Sequence, residues 1–290
     1  MSTFKQHLLE GGNAIDGVSR INQLNFDETV KKIHSTILSK LGISDDFVIL
    51  GSGGKKDPKK NGEEDGSSGD IDIAIYLPEL NREEIINQII SLCTEMGIKS
   101  RNLAGLGIAS MSYPIENIDE KQSGQFVQVD IVPVDSLKFA EWAYYSPAYD
   151  ESPYKGLYRN EALFFIARYA KYNVTKEIDG TPTEWERVFF DLSKGLMSGT
   201  QTNIGKKGKI IKTVTTIEKK IVSDDPDEIV SQLLGDGIKA EDVKTWEQVW
   251  DAMNSESFPF SDKKDNIFKG IANGLKKKEV EIPEVLKQYV

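Results

Sequence analysis

Apolar side chains recur at helical intervals in two segments of the first half of the chain, and polar residues suited to capping precede each segment. Asn25 and Glu28 have the spacing of a capping box, and the apolar positions that follow predict a helix over residues 26–41. Asn81 stands three residues before a glutamate in the same way, and the segment after it predicts a second helix that ends near Gly97. The first half of the chain is therefore expected to contain two amphipathic helices.

Short apolar runs of a different kind, bounded by glycine, proline and polar residues, predict strands in the same half of the chain. These runs lie at residues 47–50, 70–76, 103–115 and 126–133. Between the first two, residues 55–69 are rich in lysine, glycine and serine without any periodicity, which predicts a loop. Helices and strands in this order predict an α+β fold built on a mixed sheet.

The pattern changes after Pro133, where longer apolar segments with helical spacing dominate. Predicted helices lie at residues 137–145, 157–172, 246–253 and 267–275. Residues 209–222 are rich in isoleucine, valine and threonine, which favours a β element. We therefore predict two domains: an α+β domain at residues 1–136, and a mainly α-helical domain with a possible small β element at residues 137–290.

Composition narrows the class of protein. Of the 290 residues, 39% are hydrophobic and 28% are charged, and no apolar run is long enough to cross a bilayer, so we expect no membrane insertion. The first residues lack the apolar core of a signal peptide, and the single Cys93 cannot form an internal disulfide, which together predict a cytoplasmic protein. A formal net charge of -10 argues against broad, sequence-independent binding to nucleic acid.

Two aspartates one residue apart, Asp70 and Asp72, begin the second apolar run. Alternate side chains of a strand share a face, so both carboxylates point the same way. Like charges repel, and a half-buried carboxylate is costly unless a cation or hydrogen bonds compensate it. A third carboxylate, Asp130, lies in the middle of the last predicted strand, with Asp135 nearby as a competing candidate. Three such carboxylates predict a divalent-metal site, and Mg²⁺ suits an all-oxygen ligand set.

Paired divalent ions bridged by carboxylates suit the transfer of a nucleotidyl or phosphoryl group, because one ion activates the attacking oxygen and the other stabilises the leaving pyrophosphate. Asp70, Asp72 and Asp130 have the number and spacing for this task. The preceding strand runs directly into Gly51 and Ser52, whose backbone N–H groups and hydroxyl are suited to binding a triphosphate. We therefore expect Mg²⁺ or Mn²⁺ as the cofactor and an NTP, ATP included, as the substrate.

The order of these motifs is a Gly-Ser turn after one strand, two aspartates at the head of the next, and a third aspartate in a later strand. This order resembles that of the nucleotidyltransferase superfamily, which includes DNA polymerase β, and the resemblance covers roughly residues 26–135. It implies a mixed-sheet catalytic lobe followed by a helical lobe. It also implies the transfer of NMP from an NTP to an acceptor hydroxyl with release of pyrophosphate.

Carried over by position, the resemblance implies that Gly51 and Ser52 bind the β- and γ-phosphates. It further implies that Asp70 and Asp72 bind both metal ions and that Asp130 binds the nucleophile-side ion, with a second role as general base left open. The opening residues are also similar to uncharacterised nucleotidyltransferase-like proteins of tailed bacteriophages. That similarity would place the protein in the host cytoplasm or in the virion.

The loop that separates Ser52 from Asp70 is longer than is usual in the superfamily. Lys55 and the other lysines of this loop either close over the triphosphate or belong to a solvated linker. Ser67 and Ser68 either contact phosphate or belong to a flexible turn.

The acceptor stays open among RNA, a protein and a small molecule. Residues 205–220 carry six lysines against one glutamate, which either favours an anionic partner such as RNA or marks a solvated hairpin. The acidic balance of the whole chain favours a protein or small-molecule acceptor instead. The alternative function is a catalytically inactive protein of the same fold that binds nucleotide or serves as a virion-associated interaction protein.

Overall fold

The structure, a computed structural model, places the chain in two compact units, Met1–Tyr154 and Lys155–Val290. The described residues are 15–44, 46–51, 67–103, 107–147, 151–170, 172–178, 181–206 and 209–290. Within them, only the backbone is described at residues 172–178, 181–185, 201–206 and 209–219. The division between the units falls later than residue 136, because the helix that follows this point packs onto the sheet of the first unit.

A five-stranded mixed sheet organises the first unit. Its strands are β1 (Phe47–Leu50), β2 (Asp70–Ile75), β3 (Ser100–Leu103), β4 (Ile108–Pro114) and β5 (Phe126–Pro133). They lie in the order β1-β2-β5-β4-β3, in which β2 and β5 are parallel and the other neighbours are antiparallel. The predicted α+β class and mixed sheet are confirmed, and the single strand expected at residues 103–115 is the end of β3 followed by β4.

The helices of the first unit are α1 (Gln23–Ile33), α2 (Arg82–Glu95) and α3 (Leu137–Ala143). Helix α2 has the predicted capping box, in which the Asn81 side chain accepts from the backbone N–H of Glu84 and the Glu84 side chain accepts from that of Asn81. Helix α1 continues through a π-helical turn and a 3-10 turn and ends at Gly42, as predicted, with a φ of 79°.

The cap of α1 differs from the prediction. The side chain of Asn22, not Asn25, caps the helix by accepting from the backbone N–H of Asn25, so the helix begins three residues earlier than residue 26. Asn25 is fully buried inside the helix, where its side chain donates to Asp119 and accepts from the backbone N–H of Ile118. A buried amide requires such partners, and a distant loop supplies them.

Side-chain alternation along the central strands divides the sheet into an apolar face and a mixed face. The apolar face packs with α1 and α2 in one core, and its central members are fully buried: Ile71, Ile73, Ile75, Val127, Val129 and Ile131. On the mixed face, Ala74 and Val132 join Ala140 of α3 in a smaller core. Helix α3 packs on this face near the ends of β2 and β5, and the polar residues of the face lie in the first halves of these two strands.

The second unit contains a long antiparallel sheet as well as helices. Its elements are α4 (Gly156–Ala170), β6 (Tyr172–Ile178), β7 (Thr181–Asp191), β8 (Gly195–Lys206), β9 (Lys209–Ser223), α5 (Pro226–Leu234), α6 (Trp246–Asn254), α7 (Lys264–Lys277) and a 3-10 helix (Glu284–Tyr289). The strands pair in sequence order. The four-stranded sheet is larger than the small β element that was expected, and helices form the rest of the regular structure of this unit. Among the described residues, no helix combines the length and apolar character needed to cross a bilayer.

Candidate metal centre

The register of two parallel strands brings the three predicted aspartates together. Asp72 of β2 lies directly opposite Asp130 of β5, and Asp70 lies two residues earlier on the same face of β2. One carboxylate oxygen from each of the three residues lies within 4.8 Å of the others. These three aspartates form a cluster that can hold a metal ion, and they are the three residues that the sequence predicts as ligands.

The electrostatics of this cluster are unfavourable without a cation. Asp130 is only 1% exposed, and Asp70 and Asp72 are partly buried. Burial raises the pKa of Asp72 well above its usual range, and the charges of Asp70 and Asp130 raise it further. Divalent cations that prefer oxygen ligands fit this donor set, since carboxylates supply both the ligand atoms and the compensating charge.

Two neutral side chains hold the most buried of the three carboxylates, and sequence reasoning missed both. The hydroxyl of Ser110 on β4 donates to Oδ1 of Asp130 over 2.5 Å, and Nε2 of Gln128 donates to Oδ2 over 3.0 Å. Both donors are fully buried. The alternation of polar and apolar residues places Ser110 and Gln128 among the polar positions of β4 and β5. Only the register of the two strands shows that both lie next to Asp130.

Gly51 lies beside the cluster, as the predicted phosphate-binding turn requires. Its φ of 65° belongs to the left-handed region, and a Cβ at this position would stand 3.4 Å from Oδ2 of Asp72. Ser52 and Lys55, which complete the predicted phosphate site, lie outside the described residues, as does the rest of the loop up to residue 66. The turn therefore begins next to the carboxylates, and its phosphate contacts stay a prediction.

The two serines that precede β2 are buried and hydrogen-bonded. The Ser68 hydroxyl donates to the backbone carbonyl of Asp70 over 2.8 Å, and the Ser67 hydroxyl accepts from Nε of Arg20 over 2.8 Å. Nη2 of Arg20 also donates to the Ser67 carbonyl. These bonds, together with the bridge between Ser68 and Ile21, fix the chain that leads into Asp70, and a phosphate contact of either serine stays a prediction.

Asp135, the competing third carboxylate, lies apart from the cluster. It lines a cavity of about 250 Å³ together with Tyr76, Arg82 and Val134. Tyr76 and Val134 follow the last residues of β2 and β5, whereas Asp70 and Asp72 lie at the start of β2. The cavity is therefore not part of the candidate metal centre, and it is Asp130, not Asp135, that the structure brings together with Asp70 and Asp72.

Two groups in the second unit carry aromatic or basic side chains suited to binding nucleotide or RNA: Tyr158 and Arg159 of α4, and the lysine-rich segment at residues 205–220. Tyr158 is 8% exposed, and the fully buried Arg159 donates to the side chain of Asn160 and to the Lys244 carbonyl, so both pack within their own unit. The described part of the lysine-rich segment comprises the last two residues of β8 and residues 209–220 of β9. The side chains of its lysines before residue 220 lie outside the described part of the structure.

The chain was compared with known proteins by sequence. No protein-family model matches it, and no curated protein matches it. The order of Gly51, Asp70, Asp72 and Asp130 along the chain thus remains a resemblance to nucleotidyltransferases at the level of a motif.

Proposed function

We propose that this chain is a Mg²⁺-dependent nucleotidyltransferase that moves a nucleoside monophosphate from an NTP to a hydroxyl of an acceptor. The single observation that carries the proposal is the convergence of Asp70, Asp72 and Asp130, with one oxygen of each within 4.8 Å of the others. An acidic cluster of this kind is destabilising unless a cation compensates it. Two strands that could have carried apolar residues instead carry carboxylates in register.

The proposed roles follow from the positions of the three residues. Asp70 and Asp72 would hold two divalent ions, Mg²⁺ or Mn²⁺, and Asp130 would complete the ligands of the ion on the acceptor side. Bound there, the ions would promote deprotonation of the acceptor hydroxyl and stabilise the charge on the leaving pyrophosphate. Gly51 leaves space beside Asp72 that a side chain would occupy, which supports the approach of a phosphate.

The proposed reaction is a single displacement at phosphorus. The acceptor oxygen forms a bond to the α-phosphorus while the bond from that phosphorus to the α,β-bridging oxygen breaks, and pyrophosphate leaves with the electron pair. The proton of the acceptor hydroxyl passes to solvent. We assign Asp130 to metal binding, because it lies opposite Asp72 and one of its oxygens lies within 4.8 Å of an oxygen of each of the other two aspartates.

The test uses the full chain with each α-labelled NTP, Mg²⁺ or Mn²⁺, and RNA, protein or small-molecule acceptors in separate reactions. Wild type should release pyrophosphate and label one class of acceptor. The double variant Asp70→Asn with Asp72→Asn should lose more than about 100-fold in rate, since changes outside the ligands alone cost about 10–100-fold in other metal sites. Asp135→Asn is the matched control, because this carboxylate lies outside the cluster.

Two outcomes would contradict the proposal. Equal turnover in wild type and in the double variant would show that the cluster is not the reactive centre. Saturable binding of NTP and metal without pyrophosphate release, with every acceptor class, would favour the catalytically inactive nucleotide-binding alternative.

A further inference from the structure

We infer that Ser110 and Gln128 are positioning residues that fix the Asp130 carboxylate for a divalent cation. The inference rests on the metal centre of the proposed function and adds two residues on two strands to it. Neither residue would touch the cation. Each would act by holding both oxygens of Asp130 in one orientation.

The sheet register places these residues in a polar patch that surrounds the aspartates. Two rows run across β2, β5 and β4 on the mixed face, and each row has one residue from each strand: Asp72, Asp130 and Ser110 in the first, Asp70, Gln128 and Ser112 in the second. The next residues of β2 and β5 on this face, Ala74 and Val132, are apolar and buried. Polar residues on this face of the central strands are thus grouped around the carboxylates.

The hydrogen bonds give each oxygen of Asp130 its own donor. Ser110 donates to Oδ1 and Gln128 donates to Oδ2, and Ser110, Gln128 and Asp130 are all at most 1% exposed. Two donors on two different oxygens restrict rotation of the carboxylate about its last bond. A ligand held in this way is already oriented when the cation arrives, which is how residues behind a ligand raise metal affinity.

The orientation of the Gln128 amide is itself fixed. Its Oε1 accepts from the backbone N–H of Ile15 over 3.3 Å, so its Nε2 faces Asp130. A flipped amide would set an oxygen against the carboxylate and leave the Ile15 N–H facing a donor. Both donors to Asp130 are uncharged, so neither cancels the negative charge that attracts a cation.

A purely structural role makes a different prediction. If Ser110 and Gln128 only satisfied a buried carboxylate, their removal would lower the stability of the fold and leave the metal affinity of the folded protein unchanged. If they position Asp130, the affinity for metal falls in protein that is still folded. Metal affinity, measured without NTP, separates the two roles.

The experiment measures free Mn²⁺ by electron paramagnetic resonance in titrations of the full chain. We expect Ser110→Ala and Gln128→Met each to weaken Mn²⁺ binding by about 10–100-fold. Ser110→Thr keeps the hydroxyl and should recover most of the affinity. Ser112→Ala is the matched control, because Ser112 shares the strand and the face but lies opposite Gln128 and not Asp130. Urea unfolding without metal confirms that each variant is folded.

The outcomes separate this inference from the proposed function. Wild-type affinity in Ser110→Ala and in Gln128→Met, or an equal loss in Ser112→Ala, would overturn the positioning role while the metal centre stands. Should Ser110→Ala fail to fold, Gln128→Met alone decides in the same way. If wild type binds Mn²⁺ no better than the double variant Asp70→Asn with Asp72→Asn, both the metal centre and the positioning role are wrong.

Discussion

The two faces of strand β2 differ sharply although they alternate residue by residue. Ile71, Ile73 and Ile75 point into the core under α1 and α2 and are fully buried. Asp70 and Asp72 point to the opposite face, where they meet Asp130. One six-residue strand therefore contributes to the stability of the fold with one face and presents the candidate metal centre with the other.

The comparison shows how the first unit can accommodate an unfavourable cluster. Each fully buried isoleucine stabilises the fold by about 1.5–3 kcal/mol, and the apolar face has several of them on adjacent strands. On the other face, burial and the charges of Asp70 and Asp130 disfavour the ionised form of Asp72 when no metal is bound. Substitution of Ile73 and substitution of Asp72 should therefore change stability in opposite directions.

The largest effect on stability is expected on the apolar face. Ile73→Ala should lower the free energy of unfolding by about 2–5 kcal/mol, because it removes buried methyl groups and leaves a cavity between the sheet and its helices. Urea denaturation gives the value, and Ile73→Val should cost about 0.5–1.5 kcal/mol as the graded control. A loss below that range for Ile73→Ala would mean that this face is not the stabilising core.

A smaller effect is expected where the chain turns beside the carboxylates. Gly51→Ala and Gly42→Ala should each cost about 1–2 kcal/mol, because both glycines have left-handed φ values, of 65° and 79°. In Gly51→Ala the added Cβ would lie 3.4 Å from Asp72, a proposed metal ligand. In Gly42→Ala it would meet nothing within 4 Å. Mn²⁺ binding should therefore weaken in Gly51→Ala alone. Equal Mn²⁺ affinity in the two variants would argue against a close approach at Gly51.

The smallest effect on stability is expected for a substitution of Asp72, and it is a gain in stability, not a loss. Because the pKa of Asp72 is raised in the folded protein, stability from this group is present at acid pH and is lost as pH rises through the raised value. Asp72→Asn should therefore stabilise the metal-free protein at neutral pH. The gain should shrink as pH falls towards 3.8, the usual value for this group. Thermal unfolding across pH without divalent ions measures it, and a destabilised Asp72→Asn would contradict the account.

Local patterns were sufficient to predict much of the first unit. Helix α2 and its capping box follow from residues within one helical turn, and the strands follow from short apolar runs. The cluster could be predicted because Asp70 and Asp72 share a face by geometry alone. Asp130 could be preferred to Asp135 because it lies within a strand and not after it.

Features that depend on distant partners could not be predicted. Asn25 looked like a helix cap, yet a loop more than 90 residues away supplies the partners for its amide, and Asn22 takes the cap. Ser110 and Gln128 gain their roles only from the register of β4 and β5. The extent of the sheet in the second unit could not be predicted, because apolar and polar residues alternate only weakly along β8 and β9 and their pairing contains register shifts.

The central claim is that Asp70, Asp72 and Asp130 bind divalent metal together. Anomalous diffraction from crystals of the full chain grown with Mn²⁺ tests this claim most directly. The account predicts one or two anomalous peaks in contact with carboxylate oxygens of all three aspartates, and none there in the double variant Asp70→Asn with Asp72→Asn. Mn²⁺ peaks that lie only elsewhere on the protein, with these oxygens unligated, would contradict it.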